Sequence, residues 1–261
     1  MKHAPLLDID RIPEGKYLYF ASDFHLGAPN AEKSLERELK IIRWLDSIKD
    51  SAHMIFLVGD IFDFWFEYNQ TIPKGFVRFQ GKLAELREAG IPIIFFTGNH
   101  DMWMFDYFPR ELGIPVYRTN QNLRIGTQKI LVGHGDGLGP GDYTYKILKR
   151  IFANKVCQFL FNWLHPNIGM WIAQTWSSKS RISNNKKAED HFLGEGEWLL
   201  SWCKEQQKKQ AYDVYIFGHR HLPIDHPVDA QSRYINLGEW INYCTYLRLG
   251  NDQAELLTFE G

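Results

Sequence analysis

Disulfide chemistry has little to work with in this chain. Its 261 residues include three cysteines, Cys157, Cys203 and Cys244, which are far apart, odd in number and without a CxxC pair. That excludes a disulfide framework and a thiolate zinc site, and it fits a reducing, cytoplasmic setting. Long apolar runs are missing too, since no stretch approaches the roughly 18 uncharged residues of a spanning helix. The opening MKHAPLLDIDRIPEG breaks each short apolar run with a charge, so it does not read as a secretory signal. A protein that is soluble, or held on one face of a membrane, is expected. Neither charge dominates, with 30 Lys and Arg against 31 Asp and Glu. Nucleic-acid binding would therefore need a local patch, and none is expected. There is no internal repeat and no low-complexity tract, and nothing calls for an obligate protein partner.

What is present is apolar material, 44% of the residues, ample for one large core. Short β-branched or aromatic runs end in Gly, Asp, Asn or His at 17–23, 54–60, 93–99, 130–136 and 214–219, as buried strands do. Helical patterns at 31–49 and 74–89 lie between the early ones, so an α/β sandwich with parallel first strands is expected. Runs at 234–237 and 243–249 are expected to complete a second, more antiparallel sheet.

One segment departs from this rhythm. From Tyr143 to Lys187 there is no strand signal, and eight Lys or Arg stand without a single Asp or Glu. Leu148, Phe152, Val156, Phe159 and Trp163 recur at three or four, which predicts one amphipathic helix. Pro166 interrupts it, and a second apolar helix is predicted over 168–176. A single domain over 1–261 with a basic helical insertion at 143–187 accounts for this pattern.

The polar residues closing the strands carry the chemistry. In order they read SDFHLG (Asp23, His25), GDIFD (Asp60), GNHD (Asn99, His100, Asp101), GHGD (His134) and GHRH (His219, His221). Strand ends of open α/β sheets are where ligands bind, and the adjoining glycines let backbone pass close to them. One Asp-x-His alone is more often a turn with a satisfied histidine, but five such motifs in order at strand ends are not a run of turns. Mixed oxygen and imidazole donors suit Mn2+, Fe2+ or Zn2+, and seven candidate ligands exceed what one ion uses. Two ions sharing a carboxylate, about 3.5 to 4 Å apart, clamp a phosphoryl group and activate water. His53, His165, His191 and His226 lack this context and read as ordinary surface or core residues.

In this order the motifs resemble the calcineurin-like metallophosphoesterase family, whose pattern is D-x-H, G-D, G-N-H-D, H and G-H-x-H; the match runs over 17–240. The resemblance implies a mixed α/β fold, a four-layer αββα sandwich with a helical lid, and two divalent ions, Mn2+ foremost. By position, Asp23, His25, Asp60 and His221 would hold one ion. Asp60, Asn99, His134 and His219 would hold the other, with Asp60 bridging. Asn99, His100 and His219 would also touch the phosphate, and Asp101 would orient His100, a carboxylate fixing an imidazole.

Within the family, the chain most resembles the branch that hydrolyses UDP-2,3-diacylglucosamine in lipid A biosynthesis. Members of that branch bind substrate through an Asp eight residues after the metal His and through a Ser-x-x-x-Asn-x-x-Lys run, here Asp142 and Ser180, Asn184 and Lys187. The resemblance implies attack on the α-phosphorus of a UDP-linked diacylated glucosamine, giving UMP and the lipid 1-phosphate. His100 departs from the Arg usual in that branch, and the two offer a diphosphate different donors. For two acyl chains, Phe152, Phe159, Trp163, Trp171 and Trp176 are candidates to line a groove. The basic helices would meet the anionic cytoplasmic face of the inner membrane. A phosphodiesterase or nucleotidase on a soluble substrate shares the same motifs, as does a noncatalytic scaffold, although a scaffold is expected to have lost ligands and none is missing.

Overall fold

In the computed structural model, which describes residues 7–139, 143–172, 175, 191–251 and 253–261, two six-stranded sheets pack face to face. The first runs β12(Ala254–Thr258), β11(Thr245–Leu249), β2(Tyr17–Ala21), β3(Ala52–Val58), β4(Ile93–Phe96), β5(Val116–Tyr117). The second runs β1(Leu7–Ile9), β6(Gln121–Ile125), β7(Gln128–Val132), β8(Val214–Phe217), β10(Arg233–Leu237), β9(Pro223–Pro227).

The uninterrupted apolar runs follow from both faces being covered. Leu18, Phe20, Phe56, Val58, Ile94 and Phe96 point between the sheets, onto Ile130, Val132, Val214, Ile216, Ile235 and Leu237. Phe20 and Phe56, partners across the ladder, stack at 4.4 Å. The alternate residues Tyr19, Ala21, Ile55, Leu57 and Phe95 face outward and are covered by helices α1(Ala31–Ile48), α2(Val77–Glu88) and α3(Tyr107–Leu112). On the other side, Leu199, Leu200 and Cys203 of α7(Trp198–Lys209) cover Leu131, Tyr215, Phe217 and Tyr234. The result is the expected αββα layering.

α1 starts where Asn30 accepts from the Lys33 amide, an N-cap contact. Its buried face, Ile41, Trp44, Leu45 and Ile48, repeats at helical spacing. Glu38 on the same helix accepts from the Phe79 amide at 2.9 Å, satisfying the first turn of α2, which has no side-chain cap of its own.

The structure corrects three expectations. β10 and β11 do not share a sheet: β10 pairs parallel with β8, and β11 pairs antiparallel with β2 and β12. Alternation in sequence reports burial, not pairing partner. The predicted long helix is two, α4(Tyr143–Phe152) and α5(Lys155–Asn162), because Asn154 turns out of the helix and accepts from the Val156 and Cys157 amides. A third helix, α6, occupies 166–172 and begins at Pro166 itself, the first-turn position where a missing N–H costs nothing.

Candidate metal centre

β2, β3 and β4 run parallel in one sheet, and β7 and β8 run parallel in the other. Their carboxyl ends share one rim, and the five motifs follow those ends directly. The loops are tight. Asp23, His25, Asp60, His219 and His221 all have positive φ, between 44° and 65°, a region that non-glycine residues enter seldom and at a cost of about 1–3 kcal/mol each. Such strain at five of seven candidate ligands marks a site built for its side chains. The flanking glycines answer to close approach. A Cβ at Gly59, φ +83°, would sit 2.5 Å from His134 Nδ1, and one at Gly218 would sit 2.5 Å from Asp23 Oδ2.

Each carboxylate spends one oxygen on the protein and leaves the other bare. Asp23 Oδ2 accepts from Ser22 Oγ at 2.5 Å and the His219 amide at 3.0 Å. Asp60 Oδ1 accepts from the His100 amide at 2.8 Å. Asp23 Oδ1 and Asp60 Oδ2 are fully buried and have no hydrogen bond. Both face imidazole nitrogens without hydrogen-bond geometry: His221 Nε2 is 3.1 Å from Asp23 Oδ1, and His134 Nε2 is 3.3 Å from Asp60 Oδ2. His25 Nε2 lies 3.7 Å from Asp23 and 4.0 Å from Asp60.

Donor atoms of Asp23, His25, Asp60 and His221 lie within 4.8 Å of one another, as do those of Asp60, His134 and His219, with Asp60 in both groups. Asn99 Oδ1 stands 3.4 Å from His134 Nε2, beside the second group. A bare buried carboxylate oxygen is costly unless a cation meets it, so the donor set fits divalent metal ions.

The electrostatics agree. Burial opposes charge on Asp60, but His134, His100 and His25 outweigh it and hold the carboxyl far below its usual range; Asp23 is held down likewise against burial, chiefly by His221. Against its own burial, His25 is raised to about 10 by Asp23, Asp63 and Asp60. His134 is raised to about 10, again against burial, chiefly by Asp60. Burial, joined by the charge of His134, pushes His219 down to about 4. His134 donates Nδ1–H to the Val58 carbonyl at 2.9 Å, which leaves Nε2 as its ligand atom.

Asp101 is turned toward backbone amides. Its carboxylate accepts from the amides of Gly98 (2.7 Å), Ile61 (2.8 Å), Asp60 (3.3 Å) and Phe62 (3.4 Å). It therefore staples the GDIFD loop to the GNHD loop. Burial and the charge of Asp60 raise its carboxyl to about 7 despite those donors. His100 meets Asp63, whose carbonyl oxygen lies 3.0 Å from His100 Nδ1. Asp63 also presents Oδ1 3.6 Å from His25 Nδ1. The motif reading passed over Asp63, although its place three residues after Asp60 on the same loop was a usable signal.

Asp142, Ser180, Asn184, Lys187 and Trp176 lie outside the described residues. Of the aromatics expected to line a groove, Phe152 packs on Trp103 at 5.3 Å. Phe159, Trp163 and Trp171 are instead 59%, 76% and 67% exposed. Phe161 takes the inward place, against Phe66 and Trp103 at 4.7 and 4.9 Å. Among the described residues, no helix is long and apolar enough to cross a membrane.

The chain is similar to known proteins. The profile of the calcineurin-like phosphoesterases matches residues 17–223. A protein of Porphyromonas gingivalis named UDP-2,3-diacylglucosamine hydrolase is 36% identical over 245 residues, covering 88% of this chain and 92% of the relative. One of the same name from Proteus mirabilis is 29% identical over 243 residues, covering 92% and 98%. Among solved structures, a dimetal phosphatase from Danio rerio aligns over 94% of this chain and 99% of its own, with a TM-score of 0.46 and 11% identity.

Proposed function

Since the chain belongs to the calcineurin-like phosphoesterase family, we propose that it is a dinuclear-metal hydrolase that cleaves UDP-2,3-diacylglucosamine at the α-phosphorus, releasing UMP and 2,3-diacylglucosamine 1-phosphate. The observation that carries this reading is the pair of buried, unbonded oxygens, Asp23 Oδ1 and Asp60 Oδ2, each ringed by imidazoles. The name borne by the relatives supplies the substrate.

In this reading Asp23, His25, Asp60 and His221 hold one ion, and Asp60, Asn99, His134 and His219 hold the other, with Mn2+ the native metal. Bound there, the two ions would polarise phosphate oxygens and supply a nucleophile from water at neutral pH. The protein's own part is to fix geometry. Asp101 locks the two loops that carry Asp60 and Asn99. His100, tied through Nδ1 to the Asp63 carbonyl, would touch the phosphate or the leaving group in this reading. Burial holds His100 below its usual range. Asp142, Ser180, Asn184 and Lys187 complete the substrate contacts by position.

The membrane side of the proposal rests on the surface of α4–α6. Val156, Phe159, Leu160, Trp163 and Trp171 are exposed, with Lys146, Arg150 and Lys155 on the same helices. An apolar face bordered by Lys and Arg suits the anionic cytoplasmic leaflet, where each charge contributes about 1 kcal/mol.

A purified-protein assay with added Mn2+ tests the function. UMP should be released from UDP-2,3-diacylglucosamine in preference to turnover of bis-p-nitrophenyl phosphate or a cyclic nucleotide. In H2 18O the label should enter UMP. Label in the lipid phosphate would refute attack at the α-phosphorus, and preference for a soluble diester would refute the substrate.

A further inference from the structure

The two cation pockets share Asp60 but rest on different supports. Around the first, Ser22 holds Asp23, and Arg37 of α1 holds the His25 loop through the carbonyls of His25, at 2.6 Å, and Ala28. Around the second, support comes from both ends of the helical segment between β7 and α7.

At the entering end, Asp136 stands two residues past His134 and is buried. Lys149 of α4 reaches its carboxylate at 2.5 Å and its carbonyl at 3.2 Å, and Tyr145 donates its hydroxyl to the same Oδ2. At the leaving end, Arg220 adjoins His219. Its Nε donates to the fully buried Glu197 at 2.8 Å, and its terminal nitrogen donates to the His191 carbonyl at 2.8 Å. The ring of His219 meets Tyr145 at 6.3 Å and Trp198 at 5.8 Å. The two ends also touch each other, since a Cβ at Gly139 would sit 3.0 Å from the Trp198 carbonyl. A displacement of α4 therefore pulls on the loop of His134, whereas Glu197, through Arg220, seats a loop that carries both His219 and His221 and whose His219 amide also holds Asp23.

We propose that Lys149 is a positioning residue for the second pocket, setting, through Asp136, the separation of the His134 and His219 imidazoles. Cation affinity in that pocket then depends on how α4 is seated against the His134 loop. This rests on the reading above that Asp60, His134 and His219 hold an ion.

Calorimetric titration of the metal-free full chain with Mn2+ tests it, with His134→Ala and His221→Ala assigning the two binding steps to pockets. Lys149→Met should weaken the His134-dependent step about ten- to a hundredfold while the His221-dependent step moves by less than about threefold, whereas Glu197→Gln, whose partner Arg220 stands between His219 and His221, should weaken both. Lys149→Arg should restore it, and circular dichroism should stay native for the partly exposed Lys149 variants. Equal weakening of both steps by Lys149→Met, or none in either, overturns the proposal. A wild-type chain that binds fewer than two Mn2+ overturns the dinuclear reading itself, a result distinct from two normal steps that ignore the anchors.

Discussion

The metal cradle and the helical segment α4–α6 break the ordinary rule of burial in opposite directions. In the cradle, carboxylate oxygens of Asp23 and Asp60 are buried with no hydrogen bond, in loops strained at five residues. On α5 and α6, Trp163 and Trp171 stand mostly in solvent. Each departure is unfavourable in the isolated chain, one through lost hydration and the other through exposed apolar area. A cation relieves the first, and in the proposed reading a lipid surface would relieve the second. The rest of the chain, with Phe20 on Phe56 and α7 on Tyr215, follows the rule and carries the stability that both departures draw on.

The largest effect is expected where the cradle loses its shared ligand. Asp60→Asn keeps the size and the His100 amide contact but removes the charge between the two groups of imidazoles. Turnover should fall by orders of magnitude with native circular dichroism; near-normal UMP release from metal-replete protein would break the comparison at its stronger end. Chelation comes next. An ion at a hundred times its Kd stabilises the native state by about 2.7 kcal/mol, so stripping the metal should lower the Tm by roughly 5–10 °C. An unchanged Tm would mean that the bare oxygens are already satisfied.

How legible these two regions were differs for a physical reason. The cradle could be read from the sequence because strand ends are punctuated: each apolar run stops, and Asp23, Asp60, Asn99, His134 or His219 follows within three residues. What could not be read there was which neighbour each side chain chooses. Asp101 and Asp63 both stand near His100, and only the fold shows that Asp101 is consumed by four amides while the Asp63 carbonyl meets the imidazole. Pairing was equally hidden for β10 and β11, since either sheet buries such runs. In the helical segment, periodicity predicted the helices but ran through Asn154, whose side chain competes for backbone amides and ends the register. The period also placed Phe159 and Trp163 on an apolar stripe without saying that none of the described residues covers it.

The exposed face supplies the third expectation. Replacing Trp163 and Trp171 together by Ala should lower partition onto anionic vesicles by roughly one to two orders of magnitude, while turnover of a water-soluble phosphodiester stays level. Loss of both activities at once would show that the face supports the cradle rather than a membrane. Neutralising Lys155 should add a smaller, salt-dependent loss, about 1 kcal/mol at low ionic strength.

The smallest effect separates helix order from surface chemistry. Asn154 is exposed and touches neither the cradle nor the aromatic face; its oxygen serves the Val156 and Cys157 amides. Asn154→Ala should cost α5 about 1 kcal/mol, read as faster amide hydrogen exchange through its first turn. Because α5 carries Phe159 and leads into Trp163, fraying should weaken vesicle binding by less than the double tryptophan change does. Mn2+ affinity should not move, since Lys149 and Asp136 join on α4, before the break. A change in metal binding would place the break at Ala153–Asn154 inside the coupling between the two regions rather than outside it.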